Sequence, residues 1–270
     1  ARFRGGRDLR AWRVHLGSRM DVRLVSAIRD NLAETYMALG MAAEGASISR
    51  TDERWMILSS LRHPVSNFAA RFDLSEQAFR ELCAIGRKSE HFRVYVCDGD
   101  KPETLHGDLL AEGARVLYTL TTLASDGEGA LHEGKLQPVQ GQEELDAACE
   151  MIVRTFFRRS EPWLRRHMQV ALASSVGQGH EFWAARDKKG IVAVVTLVTA
   201  GGLLGLYNLC VREDQRSKGV GSAAVRQVLG EAVRRGMGVT LQCEPELAGW
   251  YRRLKFEVIG RTTAFSFNTR

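Results

Sequence analysis

The feature that most constrains this chain is a glycine-bearing loop at residues 211–222, between a strand-like run and a helix-like run. Residues 205–211 are rich in strand formers. After the loop, apolar residues recur at helical spacing until Gly236, a plausible stop: Val225, Val228, Leu229, Ala232 and Val233. Gly219 and Gly221 carry no Cβ, so a bulky anion can approach the main chain there. Because the positive end of the helix points to the same place, this order predicts a diphosphate site.

The loop is not one of the two common nucleotide-binding loops. No Lys-Ser or Lys-Thr pair follows Gly221, as a Walker A motif would require. The G-x-G-x-x-G pattern of dinucleotide-binding proteins is also missing here. The class of ligand therefore has to come from other residues.

Two motifs in order indicate a family. Arg216-Ser-Lys-Gly219-Val-Gly221 resembles the acyl-CoA-binding signature R/Q-x-x-G-x-G/A of the GNAT superfamily of N-acyltransferases. About 30 residues later, the segment 248–260, with Tyr251 and Phe256, is similar to the family's late A-x-x-x-Y-x-x-x-G-F segment. The resemblance covers residues 136–267. It departs from the family at Lys255, where Gly is usual, and at Glu244, where many members carry Asn.

The resemblance implies an α/β (α+β layered) fold with a GNAT-type mixed, mostly antiparallel sheet flanked by helices. It also implies an enzyme that moves an acetyl group from acetyl-CoA to a primary amine of a small molecule, amino acid or peptide by direct attack. The diphosphate would bind the main chain and cations of Arg216, Ser217, Lys218, Gly219, Val220, Gly221 and Ser222. The fourth and fifth strands would splay apart, and the pantetheine arm would lie in the gap. It would contact the segment Leu209, Cys210 and Val211, chiefly the backbone of Leu209 and Val211.

The resemblance also implies catalytic residues. Tyr251 is at the family's position near the sulfur and is the candidate general acid for the departing thiolate. Asn208 lies where many members have a carboxylate. It cannot take a proton, but it can orient a water or the amine. Glu244 is the nearest acid in sequence to the splayed site, with His180 and Glu181 as alternative bases. The general base therefore stays open.

The chain divides into four segments. Residues 1–19 are a basic leader that need not be native, with a transit peptide or a packed helix as alternatives. Residues 20–124 have the order α-β-β-α-β-α-β, with strands at 53–60 and 65–72, a helix at 75–85 for which Ser75 is the cap, and a helix at 102–112. This order is similar to a degenerate GNAT-like half of a tandem GNAT protein. An unrelated, smaller α/β domain is the alternative. Residues 125–135 form a glycine-rich linker, and residues 136–270 form the GNAT domain.

Charge and composition limit other functions. The formal charge is +6, but residues 1–19 hold six arginines and one acid, so the remainder is near neutral and nucleic-acid binding ranks third. No run reaches the ~18 apolar residues of a membrane span. Five scattered cysteines favour reduced thiols and the cytoplasm, and no histidine has metal-ligand spacing. A non-catalytic acyl-CoA sensor or scaffold, or a transferase for longer acyl chains, remains an alternative. The sequence does not predict the oligomeric state.

Overall fold

A computed structural model describes residues 22–127 and 134–268, which build one eleven-stranded sheet with helices on both faces. The α-helices are α1 (Val22–Gly40), α2 (Glu76–Lys88), α3 (Leu105–Ala111), α4 (Gln142–Phe156), α5 (Pro162–Ser175), α6 (Val220–Arg235) and α7 (Pro245–Arg252). The strands are β1 (Ser47–Arg50), β2 (Trp55–Leu58), β3 (Phe68–Ala70), β4 (Arg93–Cys97), β5 (Arg115–Ser125), β6 (Gln137–Pro138), β7 (His180–Asp187), β8 (Gly190–Ala200), β9 (Leu203–Val211), β10 (Gly238–Cys243) and β11 (Glu257–Ser266).

The order of strands across the sheet is β1-β2-β3-β4-β11-β5-β10-β9-β8-β7-β6. Neighbouring strands run antiparallel except for the two pairs β3–β4 and β9–β10. A helix connects each of these parallel pairs, as a crossover requires: α2 joins β3 to β4, and α6 joins β9 to β10. The predicted mixed, mostly antiparallel sheet flanked by helices is confirmed.

The two halves of the chain repeat one topology. Strands β1–β5 and β7–β11 follow each other in the same order and pair in the same senses. The last strand of each half crosses over, so that β5 pairs with β10, β11 pairs with β4, and β5 and β11 pair with each other. The halves therefore share a single sheet. The boundaries at residues 124 and 136 remain predictions, and the leader 1–19 and linker residues 128–133 lie outside the described residues.

Helix α6 buries most of the apolar face that its periodicity predicts, but Val233, at its C-terminal end, is 40% exposed. The predicted apolar face of α6 packs in one core with β8, β9 and β10, through Val225, Val228, Leu229 and Ala232. Helix α6 ends at Gly236, whose φ of 69° gives the left-handed cap expected of glycine there. None of the helices in residues 22–127 and 134–268 is long and apolar enough to cross a membrane.

Helix α1 crosses the opposite face of the sheet and joins the two halves. Its Leu32 and Met37 are almost wholly buried. The Asn31 side-chain amide donates to the backbone carbonyls of Val198, Ala200 and Leu203 in the C-terminal half. Since buried carbonyls need donors, this one side chain ties α1 to the β8–β9 hairpin.

Several predicted boundaries move in the N-terminal half. Strand β1 is not predicted, because its exposed residues have no apolar alternation. The predicted strand 65–72 opens with a 3₁₀ turn at Pro64–Ser66, where proline fixes φ and removes a donor. The predicted helix 102–112 begins only at Leu105.

Candidate active site

A gap opens between β9 and β10. The two strands pair over Leu203–Gly205 and Gly238–Thr240, and the pairing then stops although both strands continue. We name the space between residues 206–211 of β9 and residues 241–243 of β10 the strand cleft. The splaying that the family resemblance implies is thus present in this chain.

A β-bulge shapes the β9 wall of the strand cleft. The register with β8 shifts between Val194 and Thr196, and Asn208 has a φ of 51°, in the left-handed region that asparagine tolerates. The Asn208 side-chain amide donates to the Thr196 hydroxyl at 3.2 Å. This hydrogen bond holds the Asn208 carboxamide at the cleft wall.

The strand alternation decides which backbone groups face the strand cleft. The Arg212 N–H donates to the Val192 carbonyl of β8 at 2.8 Å. Because successive residues of a strand turn their backbone groups to opposite sides, Cys210 also faces β8, while Leu209 and Val211 face the cleft. The Cys210 side chain lies in the core against α4 and α5. Cys210 therefore has neither backbone nor side chain on the cleft side.

The glycine loop leads from β9 to the head of α6. The Arg216 Nε donates to the Val211 carbonyl at 3.0 Å, and Ser217 and Gly219 have positive φ values of 61° and 78°. Helix α6 begins without a side-chain cap. Within the described parts of the chain, the backbone N–H groups of its first three residues, 220–222, have no acceptor. Free amides at the positive end of a helix form a ready anion site.

The space above the loop is open. A Cβ added to Gly219 would meet nothing within 4 Å, and one added to Gly221 would lie 3.6 Å from Val211 and 3.7 Å from Trp250, which are ordinary contacts. Gly221 also has no positive φ. Neither packing nor conformation therefore requires glycine at 221, and its missing side chain leaves room for a group outside the chain. Exposed Arg216 and Lys218 add positive charge beside the same amides.

Tyr251 lies on α7, in the core that also holds Leu209 and Val211. Its ring is 7% exposed and makes edge contacts with Trp250 and Phe256. Burial, with a smaller contribution from Cys243, raises the pKa of the Tyr251 hydroxyl well above its usual range. The hydroxyl has no hydrogen-bond partner among the residues that the structure describes. It is therefore held protonated and free to donate.

The three candidate bases differ in their burial, in their hydrogen-bond partners and in their position relative to the strand cleft. Glu244 is exposed at the end of β10, directly before α7. Glu181 is on β7, where Arg235 donates to it at 2.7 Å and Trp183 at 3.2 Å. These hydrogen bonds lower its pKa. His180 is also on β7 and is buried, which lowers its pKa to about 4. Strand β8 lies between β7 and β9, so Glu181 and His180 do not line the strand cleft.

The N-terminal counterpart of the strand cleft is filled by an ion pair that sequence reasoning missed. Beyond the three paired residues of β3, the buried Asp100 carboxylate accepts from the Phe72 N–H at 2.8 Å and the Cys97 N–H at 2.7 Å. The Arg29 guanidinium from α1 lies 2.7 Å from Asp100 and donates to the Phe72 carbonyl at 2.6 Å. These groups close the space where a pantetheine arm would need backbone partners.

The counterpart of the glycine loop is closed as well. Ser75 caps α2, and its hydroxyl accepts from the Ala78 N–H. The Ser75 N–H in turn donates to Glu53, and the first turn carries the acidic Glu76. An anion would meet a helix end that Ser75 already caps at the Ala78 N–H, with negative charge nearby. No group of three or more His, Cys, Asp or Glu in the described ranges is arranged to hold a metal ion.

Comparison with known proteins identifies the fold. Residues 178–258 match the family model described as "Acetyltransferase (GNAT) domain", which spans β7 to the start of β11 and includes the strand cleft, the glycine loop and Tyr251. This chain carries a GNAT domain. A search of curated proteins found no match.

Solved structures with a similar fold also carry GNAT names. A "GCN5-related N-acetyltransferase" from Kribbella flavida aligns with a TM-score of 0.61 at 16% identity, over 88% of this chain and 95% of its own. A "Putative Acetyltransferase from the GNAT family" from Novosphingobium aromaticivorans aligns with a TM-score of 0.58 at 15% identity, over 92% of this chain and 99% of its own. A "Tandem GNAT protein from the clavulanic acid biosynthesis pathway" aligns with a TM-score of 0.55 at 13% identity, over 92% of this chain and 95% of its own. At these identities the likeness concerns the fold, and it extends across both halves.

Proposed function

We propose that this protein transfers an acetyl group from acetyl-CoA to a primary amine of a small molecule, amino acid or peptide. The observation that carries the proposal is the strand cleft, which opens beside the free backbone amides at the head of α6. A ligand with a diphosphate at one end and an extended amide-bearing arm fits such a site. Coenzyme A has this form, and the acetyl thioester supplies the group that is transferred.

Each wall of the site has a task in this reaction. The amides and cations of residues 216–222 would bind the diphosphate. The backbone of Leu209 and Val211 would bind the pantetheine arm and donate to the thioester carbonyl, where negative charge develops. Asn208 would orient the attacking amine. The bond that forms joins the amine nitrogen to the acyl carbon, and the bond that breaks is the carbon–sulfur bond.

Two protons move in this scheme. The amine loses one proton, and exposed Glu244 is the acid beside the strand cleft that is free to take it. The departing thiolate gains one from Tyr251, whose raised pKa keeps the hydroxyl protonated at neutral pH. Tyr251 would then recover its proton from solvent.

A second candidate is a sensor that binds acyl-CoA without turnover. It is favoured by Asn208, which stands where a carboxylate base is common in the family and has no titratable group. Transfer of a longer acyl chain is a variant of the first proposal and is tested by the same assay with longer thioesters.

The experiment is calorimetry with CoA and acetyl-CoA, followed by thiol release from acetyl-CoA against a panel of amines. Binding together with amine-dependent thiol release supports the transferase. Tight binding without release on any amine favours the sensor. Absence of binding to either ligand would remove both proposals.

A further inference from the structure

The wall of the strand cleft opposite Asn208 carries a second carboxamide, that of Gln242 on β10. Both polar atoms of this carboxamide, Oε1 and Nε2, are buried and have no hydrogen-bond partner among residues 22–127 and 134–268. Buried polar side-chain atoms are nearly always paired, and an unpaired one costs about 1–3 kcal/mol. A buried carboxamide with both atoms unused is therefore suited to bind a group that comes from outside the chain.

The sheet register shows on which face Gln242 lies. Its neighbours Leu241 and Cys243 point into the core beneath α6 and α7, so Gln242 points to the opposite face. That face is the one covered by α1. Thr240, two residues earlier, pairs with Gly205, and a Cβ on Gly205 would meet Asn31 of α1.

Asn208 presents its carboxamide from the other wall. Its Nδ2 donates to the Thr196 hydroxyl. Val195 and Leu197, on either side of Thr196, lie in the core under α6, so Thr196 lies on the opposite face. The Asn208 Oδ1 has no partner in the described part of the chain. Two carboxamides, from β9 and β10, thus border the strand cleft on the face away from the diphosphate loop and Tyr251.

We propose that Gln242 is the residue that selects the acceptor, and that it does so by binding an amide group next to the acceptor's amine. This proposal rests on the transferase proposed above. A carboxamide offers one donor and one acceptor side by side, and a substrate amide offers the complementary pair. The acceptor class is therefore an α-amino amide, such as an amino-acid amide or a peptide N-terminus, rather than a simple alkyl amine.

The pantetheine arm of CoA also carries amides that could bind the Gln242 carboxamide. The expected position of the arm argues against this. An arm that replaces a strand lies in the plane of the sheet, where the backbone of Leu209 and Val211 meets it. Side chains of a strand stand roughly perpendicular to that plane. The Gln242 carboxamide therefore lies out of that plane, on the face opposite Tyr251, where an acceptor would not compete with the pantetheine arm for backbone partners.

The test compares amino-acid amides with the matching methyl esters, which keep the amine and the carbonyl but lack the amide N–H. For the wild type we expect kcat/KM to favour the amide by about tenfold or more, since one net hydrogen bond is worth roughly that factor. Gln242→Met, which is similar in size, should bring the ratio close to one, chiefly through KM. Gln242→Glu keeps the accepting oxygen and should retain part of the preference.

Control variants distinguish failure of the Gln242 inference from failure of the proposed transferase function. Gln142→Met, at an exposed residue at the start of α4, should leave the amide-to-ester ratio unchanged. CoA affinity by calorimetry should stay within about threefold in every variant, and thermal melting checks folding. An unchanged ratio in Gln242→Met, or a wild type that prefers esters, overturns the inference and leaves the transferase intact. A wild type that binds CoA but acetylates no amine overturns both, as does one that binds no CoA.

Discussion

At the scale of single residues, the environment of a side chain decides whether it can take part in proton transfer, more than its residue type does. Tyr251 and Trp250 are adjacent aromatic residues. Tyr251 is buried, and its hydroxyl has no partner in the part of the chain that the structure describes, while Trp250 is only partly buried. Glu181 and Glu244 are both acids near strand ends, yet Arg235 and Trp183 bind the first, and the second is exposed. A group that transfers a proton to or from a substrate must not be occupied by other hydrogen bonds. Tyr251 and Glu244 meet this condition among the described residues, and Glu181 does not.

Tyr251→Phe should lower kcat by about 10²-fold, in the range typical of acid–base groups. The hydroxyl makes no hydrogen bond within residues 22–127 and 134–268, so its removal should leave CoA affinity and melting temperature nearly unchanged. Steady-state kinetics, calorimetry and thermal melting check the three parts. An unchanged kcat would remove Tyr251 from the mechanism.

Lys255→Gly should stabilise the protein by about 0.5–1 kcal/mol. Lys255 has a φ of 72°, in the left-handed region that costs a residue with a side chain roughly 1–2 kcal/mol, and glycine avoids that cost while losing some chain entropy. Thermal or urea unfolding measures the change. Lys255→Ala, which keeps a Cβ, is the control and should give no gain. Equal stability of the two variants would argue against this strain.

At the scale of elements, the site is a junction of β9, the loop and α6. The bulge at Asn208 shifts the register of β9 with β8, and the backbone of Leu209 and Val211 turns toward the strand cleft. The loop then leads to three amides at the head of α6 that have no acceptor among the described residues. The N-terminal half has the same elements in the same order, but Ser75 caps the equivalent helix and Asp100 accepts from backbone N–H groups in the equivalent gap. One topology therefore gives an open site in one half and a closed one in the other.

Gly221→Val should weaken CoA binding by 100-fold or more while the protein still folds. The new side chain would occupy the open space beside the amides, and its Cβ would make only ordinary contacts with Val211 and Trp250. Calorimetry measures the affinity. Gly107→Val is the matched control, because Gly107 is also helical and its Cβ would meet nothing within 4 Å. Full CoA affinity in Gly221→Val would refute the loop assignment.

At the scale of the whole molecule, strand exchange makes two half-sheets into one. Strands β5 and β11 lie side by side at the centre of the sheet. Strand β5 comes from the N-terminal half but pairs with β10, and β11 comes from the C-terminal half but pairs with β4. Helix α1 adds a second link through Asn31. The N-terminal half thus acts as a structural part of the GNAT domain's sheet, since it contributes the strand next to β10.

The whole chain should bind one CoA, at the C-terminal half. Arg29 and Asp100 close the N-terminal counterpart of the strand cleft, and Ser75 caps the helix that would otherwise receive the diphosphate. Calorimetry should give a stoichiometry near one for the wild type and no binding heat for Gly221→Val. A stoichiometry near two for the wild type that falls to one in Gly221→Val would show that the N-terminal half binds too.

The local structure of the candidate site was predictable from the sequence alone. Gly219 and Gly221, the periodic face of α6 and the spacing to Tyr251 are short-range patterns, and short-range patterns determine loops, helices and caps. They predicted the diphosphate loop and the GNAT-type sheet. They also predicted Ser75 as a cap, which its hydrogen bond to Ala78 bears out.

Only the tertiary structure decided the long-range features. The exchange of β5 and β11, the pairing of Asp100 with Arg29 and the unused carboxamide of Gln242 each depend on contacts between residues far apart in the chain. Such contacts carry no spacing signal, because a strand's partner and the face on which a polar side chain lies are set by the whole sheet's register. The sequence alone thus determined the order of strand, glycine loop and helix on which the diphosphate prediction rests, because that order is local. The assembled sheet decided that one half is open, that the other is closed, and which side chains border the cleft.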